Sequence, residues 1–386
     1  MKTIIIFINS LTYVKNWIDP LYPFLSKKDI NIIIFHMHSL RFGDQPVSEP
    51  SIKYQSYDIG KIKIRKVILL FENLRPDAVI FFHFKSFADY MVLRITKLLN
   101  IRSIYLQHGI FCSKVFNFVT VSIVSSLKRY FFHFRQFVQF IFIKSVNIVS
   151  ELNLVIRYFF NNNLKGTKYD HAILYSKYNL DYIQENFCFN EDQVKYSGFP
   201  AVQFQDQLTS TINLSKKEKR ILFLQEKMIP AHTSISYDQE HKYFRTVINI
   251  SVKYNFKITM RLHPRVDHEF YNKMLSDDEV NVDNHTSLYD QILSADIIIG
   301  NMSTALFAAV INKKPIITIF YPGFKPLTDI FDKIAIKAPN YNSLEKIFQS
   351  PDKWAEKLNI YDDFIDKYIG GNNTYEYQAQ TILDLI

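Results

Sequence analysis

Short apolar runs alternate with amphipathic stretches along most of this chain. TIIIFI (3–8), NIIIFH (31–36), DAVIFF (77–82) and SIYLQ (103–107) are near-continuous runs of β-branched and aromatic residues. Runs of that length without polar alternation predict strands buried on both faces, as in parallel sheets. Between them, residues 63–73 and 87–99 carry apolar positions at helical spacing. Strands that alternate with helices predict an α/β domain with a parallel sheet.

The second half repeats the pattern. RILFLQ (220–225), KITMRLH (257–263), DIIIG (296–300) and PIITIF (315–320) read as strands. Residues 243–255, 287–295 and 303–313 read as the helices between them, and the tail from Asn342 onward reads as helices. The expected result is two doubly wound domains in tandem, an N-terminal one over 1–200 and a C-terminal one over 201–386. The boundary falls in the polar stretch between Pro200 and Lys219, just after a tight turn at YSGFP (196–200) marked by Gly198 and Pro200. The sequence leaves open whether the last helix returns to the first domain.

The length of 386 residues also favours two domains. Two cysteines, Cys112 and Cys188, are too few for a disulfide framework and read as free thiols in a reducing compartment. The opening MKTIIIFINS reads as a first strand rather than an export signal, so the expected location is the cytoplasm. Net charge is +9, and it is concentrated: residues 111–168 hold eight Lys and Arg against the single acid Glu151. That stretch is also rich in Phe and β-branched residues and interrupts the strand–helix alternation. It lacks an uncharged apolar run long enough to span a bilayer. A helical insertion with cations on one face and Phe, Ile and Leu on the other suits an anionic membrane surface. The alternative is a hairpin of helices packed on its own domain or on a second copy, which would make a homo-oligomer. Nucleic acid is not expected as a partner, because no RNA-binding signature accompanies the interleaved cations and rings.

Candidate chemistry collects at strand ends, where open α/β sheets bind ligands. Arg261, His263, Pro264 and Arg265 lie in RLHPR at the end of the 257–263 strand. An imidazole donor and a guanidinium fork suit a nucleotide phosphate. Asn301, Ser303 and Thr304 come after the 296–300 strand in NMSTA and open a helix, offering hydroxyls and main-chain N–H groups to a phosphate. In the first half, Gln107, His108 and Gly109 end the strand at 103–107, and His108 is a candidate general base for an acceptor hydroxyl. His36, His38, Asp44 and His83 also stand near predicted strand ends on this acceptor side. There is no GxxxxGK[ST] loop, no GxGxxG after the first strand, and no His/Cys/Asp cluster with metal-ligand spacing. Neither a cofactor nor a catalytic metal is therefore expected.

QHG (107–109), SGFP (197–200), RLHPR (261–265), SADIIIGNMSTALF (294–307) and KKPIITI (313–319) together resemble bacterial surface-polysaccharide glycosyltransferases of the GT-B fold. The nearest likeness is to sialyltransferases and polysialyltransferases that use CMP-activated nonulosonic acids. The CDP-glycerol glycerophosphotransferases are similar in the same places. The resemblance covers roughly 75–110 and 195–320. It implies two Rossmann-like domains facing each other across a cleft, with the nucleotide-sugar donor on the C-terminal domain. His263 would contact the nucleotide phosphate and assist its departure, Ser303 and Thr304 would bind that phosphate, and His108 would be the base. The acidic Asp/Glu-Asp/Glu-Gly motif of polysialyltransferases is missing. The expected reaction is sugar transfer from a CMP-linked donor to a surface polysaccharide or lipid-linked glycan at the inner membrane face. Its rivals are CDP-glycerol-type polyol phosphate transfer, UDP-sugar transfer or 2-epimerisation, and a non-catalytic membrane-peripheral scaffold.

Overall fold

The computed structural model describes residues 1–9, 11–39, 54–60, 62–83, 87–109, 149, 169–180, 183–184, 189–200, 219–225, 237–263, 266, 268–275, 280–300, 303–319, 330–371 and 374–386. Asp44, Pro264, Arg265, Asn301 and, apart from Val149, the insertion 111–168 lie outside these residues. The strands are β1 (Lys2–Ile8), β2 (Ile30–His36), β3 (Gln55–Asp58), β4 (Ala78–Phe81), β5 (Arg102–Leu106), β6 (His171–Leu174), β7 (Val194–Tyr196), β8 (Lys219–Leu224), β9 (Phe256–Arg261), β10 (Val280–Val282), β11 (Ile297–Ile299), β12 (Ile316–Ile319) and β13 (Ile336–Ala338). The α-helices are α1 (Tyr22–Ser26), α2 (Ile64–Leu74), α3 (Phe87–Leu98), α4 (Tyr237–Lys253), α5 (His268–Met274), α6 (Leu288–Ser294), α7 (Ala305–Ile311), α8 (Tyr341–Gln349), α9 (Tyr361–Phe364) and α10 (Tyr375–Leu383).

Two parallel sheets result, ordered β3-β2-β1-β4-β5-β6-β7 and β10-β9-β8-β11-β12-β13. In each, the order reverses beside the first strand laid down: between β1 and β4, and between β8 and β11. The continuous apolar runs explain the first sheet. Odd positions of β1 (Ile5, Phe7) join Ile33, Phe35, Val79 and Phe81 in a core shared with α2 and α3. Even positions (Ile4, Ile6, Ile8) join Ile32, Ile34, Ala78 and Ile80 on the other face. Register keeps the rows aligned, with Ile5 opposite both Ile33 and Val79. In the second unit, Phe256, Phe348 and Trp354 close the core against β9, and the Trp354 indole N–H donates to the Ile347 carbonyl at 2.9 Å.

The described residues up to 203 form one unit together with residues 372–386, and those of 204–371 form the other. The division expected at 201–386 is thus corrected at its far end. The reason is the apolar side of the last helix: Ala379 and Ile382 of α10, with Leu385 just past its end, fill the β1–β2–β4 face of the first unit. Thr374 caps this helix by accepting the Tyr377 N–H at 3.1 Å, and the Arg102 guanidinium holds the Leu385 carbonyl. Ile382 is fully buried, so Ile382→Ala should cost about 2–5 kcal/mol of stability. A urea titration that finds a loss under about 1 kcal/mol, the ordinary size of a point mutation, would remove α10 from this core.

Candidate functional site

The residues just after β1, β4 and β5 meet at the end of the first sheet where its strand order reverses, the place where such sheets bind ligands. A 3₁₀ turn (Leu11–Tyr13) and a π-turn (Val14–Ile18) succeed β1 and bring Tyr13 and Trp17 there. His83 stands just past β4 and His108 just past β5. Their rings pack edge to face with centroids 4.4 Å apart, and Tyr13 lies 4.9 Å from His83 and 5.7 Å from His108. Trp17 stands edge-on to His108 at 6.3 Å. His83 and His108 were both expected here. Tyr13 and Trp17 were not, because nothing in LTYVKNWI announces a ligand-facing turn.

Gln107 has a different place from the expected acceptor contact. It is buried at 1% exposure. Its amide oxygen accepts the Tyr175 N–H at 2.9 Å, and its amide nitrogen donates to the Gly109 carbonyl at 2.9 Å. It therefore braces the turn that carries His108 against the end of β6. A Cβ on Gly109 would meet no described atom within 4 Å. His38 belongs to another group: its N–H lies 3.4 Å from His36 Nδ1, which stands 3.6 Å from Asp58. Asp58 accepts the Ser39 and Gly60 N–H groups, both at 2.9 Å. Burial lowers the His36 pKa, and Asp58 opposes that shift. The ends of β2 and β3 thus hold a part-buried polar knot of His36, His38, Ser39 and Asp58.

In the second sheet the reversal lies between β8 and β11, and β8 is flanked by β9. Gln225 is the residue after β8, His263 lies two residues past β9, and Ser303 and Thr304 lie past β11. Gln225 repeats the logic of Gln107. Its N–H donates to the Arg261 carbonyl at 2.9 Å, and its amide oxygen accepts the His263 N–H at 3.0 Å. On the other side, His268 lies with Nε2 3.2 Å from the His263 carbonyl oxygen. A carbonyl only accepts, so Nε2 carries the proton, and Nδ1 accepts from the Asn284 amide at 2.8 Å. The Asn284 oxygen in turn accepts the Leu262 N–H at 2.9 Å. Both polar groups of the His263 main chain are thereby held.

Arg261, expected on the donor, turns elsewhere. Its Nη1 donates to the Thr286 carbonyl and to Gln291 Oε1, each at 2.8 Å. Gln291 passes the contact to the Asp283 carbonyl at 2.8 Å. Asp283 accepts the His285 and Thr286 N–H groups at 2.8 and 3.0 Å. Hydrogen bonds from the Thr286 side chain and main chain hold its carboxyl well below the usual carboxylate range. Arg261 is thus tied to the β10–α6 connection. The helix expected from 303 begins at Ala305, with Thr304 as its cap residue. Ser303 Oγ accepts the Ala305 N–H at 3.2 Å, and both hydroxyl residues are half-buried.

The family described as CDP-Glycerol:Poly(glycerophosphate) glycerophosphotransferase matches residues 156–323. That span contains Gln225, Arg261, His263, Ser303 and Thr304. The teichoic acid glycerol-phosphate primase of Bacillus subtilis (strain 168) is 23% identical over 235 residues, 57% of this chain and 58% of that protein. The likeness thus spans little more than half of the curated relative. Among solved structures, a variant of the wall teichoic acid polymerase TagF soaked with CDPG matches with a TM-score of 0.60 at 13% identity, covering 100% of this chain and 89% of that one. S. aureus MnaA with UDP matches with a TM-score of 0.57 at 13% identity, covering 100% and 98%. At such identities the structural likeness establishes an α/β fold shared with these proteins. Transferase, the enzyme class expected from the sequence, is the class of the matching family. The likenesses lie on the glycerophosphotransferase side, the rival chemistry that the same motifs allowed, rather than on the side of the expected CMP-nonulosonate donor.

Proposed function

We propose that this protein is a GT-B transferase of two Rossmann-like domains that moves glycerol phosphate from CDP-glycerol to an acceptor hydroxyl on a cell-surface polymer or its lipid-linked precursor. The observation that carries this reading is the family match over 156–323, which encloses the strand ends around β8. The acceptor oxygen attacks the phosphorus that bears glycerol, a new P–O ester bond forms, and the anhydride P–O bond to CMP breaks. The electron pair leaves with CMP, and the acceptor proton goes to a base. His108 suits that role, since its imidazole stands beside Tyr13, Trp17 and His83 at the end of β5 and can serve as a general base. His263, Ser303 and Thr304 suit the donor phosphates, with N–H and O–H donors directed where charge develops. The basic segment 111–168 suits a lipid-linked acceptor at an anionic inner membrane face. Among the described residues, no helix is long and apolar enough to cross a membrane.

The first test is stabilisation by nucleotides. A ligand present at 100 times its Kd raises native-state stability by about 2.7 kcal/mol. CDP and CDP-glycerol should raise the melting temperature more than CMP, UDP, GDP or ADP, and labelled glycerol should pass from CDP-glycerol to a polyol phosphate acceptor. A selective response to UDP would instead favour UDP-sugar chemistry, for which the likeness to UDP-bound MnaA is the supporting observation. No response to any nucleotide would defeat both readings.

A further inference from the structure

The second unit contains a buried carboxylate that the proposed reaction does not use. Glu240 sits in the first turn of α4 at 1% exposure. One oxygen accepts the Tyr271 hydroxyl at 2.5 Å, and the other accepts Gln225 Nε2 at 3.3 Å. Burial pushes its carboxyl pKa up, against the opposing pull of those two donors. A carboxylate at that depth is costly unless its partners are fixed, and here the partners lead to one place.

Gln225 has a side-chain amide that can be seated in two orientations. Only one lets Oε1 receive the His263 N–H, and in that one Nε2 must find an acceptor in the interior. Glu240 is that acceptor. With the orientation reversed, the Gln225 NH₂ group would face the His263 N–H, donor against donor, while Oε1 would face a carboxylate. The acceptor oxygen of Glu240 therefore selects the amide orientation that holds the His263 main chain before Pro264. Tyr271, on α5, fixes the carboxylate from the other side, and α5 also supplies His268 to the His263 carbonyl. The Gln225 and His268 clamps on the His263 main chain are thus both tied to α5, while the Val266 N–H also donates to the His263 carbonyl at 3.1 Å.

We infer that Glu240 is a positioning residue for the donor site: through Gln225 it sets the His263 main chain, and so the imidazole, in the orientation that engages a nucleotide diphosphate. The inference rests on the donor side of the glycerophosphotransferase reading. It is separable from that reading, because nucleotide affinity can be measured without turnover.

The experiment is calorimetric titration of the full chain with CDP, using wild type, Glu240→Gln, Glu240→Leu and Gln225→Met, each with and without His263→Ala. Melting temperatures are recorded alongside. Glu240→Leu leaves a buried donor without its acceptor and should weaken CDP binding about tenfold. Glu240→Gln keeps an oxygen for Gln225 Nε2 and should stay within about threefold of wild type. In the His263→Ala background, Glu240→Leu should add less than about twofold, because the group being positioned is gone. Unchanged CDP affinity in a folded Glu240→Leu protein would overturn the inference, as would an equal loss with and without His263. If Glu240→Leu does not fold, Gln225→Met, which leaves the Glu240–Tyr271 contact in place, is held to the same two outcomes. Wild type that does not bind CDP would defeat the functional reading and this inference together. Wild-type binding with indifferent variants would defeat this inference alone.

Discussion

His108→Ala should leave the chain folded and slow glycerol phosphate transfer by about a thousandfold, within the 10²–10⁴ range of a positioned proton acceptor. The turn at 107–109 does not depend on the imidazole, since Gln107 ties it to Tyr175 N–H and the Gly109 carbonyl. The ring has aromatic neighbours in Tyr13, Trp17 and His83 and is only half-buried. Its removal should therefore be felt in rate rather than in the melting transition. The measurement is transfer from CDP-glycerol to a saturating acceptor, with CDP affinity as the control. An intact affinity with a collapsed rate assigns His108 to the acceptor step. A variant within about tenfold of wild type would fall below the weakest general-base contributions and remove His108 from that role.

Most of the strands visible in the sequence are buried on both faces, β9 with its alternating burial being an exception. β1, β2, β4 and β5 are written as unbroken apolar runs because helices cover both sides of that sheet, and the periodicity places each to within a residue or two. The strands that escape notice are short or polar. QSYD (β3), VNV (β10) and IKA (β13) sit at sheet edges, where one side faces solvent and the apolar signal is diluted. The return of α10 to the first unit is beyond reach for a different reason. Its apolar face specifies burial, but nothing in a helix's own residues names the core that receives it.

Polar residues at strand ends are legible as a group and ambiguous one by one. His83, His108, His263, Ser303 and Thr304 all stand within a few residues of the end of an apolar run. Arg261 and Gln107 stand there too, and the structure commits both to bracing. The difference lies in partners distant in sequence: Thr286 and Gln291 for Arg261, Tyr175 for Gln107. In the sequence Gln225 is only the last residue of a strand, and Glu240 falls in a stretch that reads as connection. A glutamine directly after a buried strand, present at both 107 and 225, is a signal that could have found these braces.

His263→Ala should cut transfer by about 10²–10³, the loss seen when one donor to developing charge is removed, with the melting temperature nearly unchanged. The bonds to Gln225 and His268 are made by its main chain. Alanine keeps the N–H to Gln225 and the carbonyl to His268, so the peptide stays in place while the imidazole is lost. Arg261→Ala, two residues earlier, should behave in the opposite way. It strips donors from the Thr286 carbonyl and from Gln291, which is itself 4% exposed. That leaves the buried Gln291 amide oxygen unmet, at a cost of about 1–3 kcal/mol, while the exposed Thr286 carbonyl can turn to water. Stability should fall first there, with activity declining behind it. Measuring rate and melting temperature on both variants separates the two residues. If Arg261→Ala loses rate at full stability, the guanidinium acts on the donor after all. If His263→Ala loses stability and rate together, the imidazole is a structural part of the strand end and the donor role passes to Ser303 and Thr304.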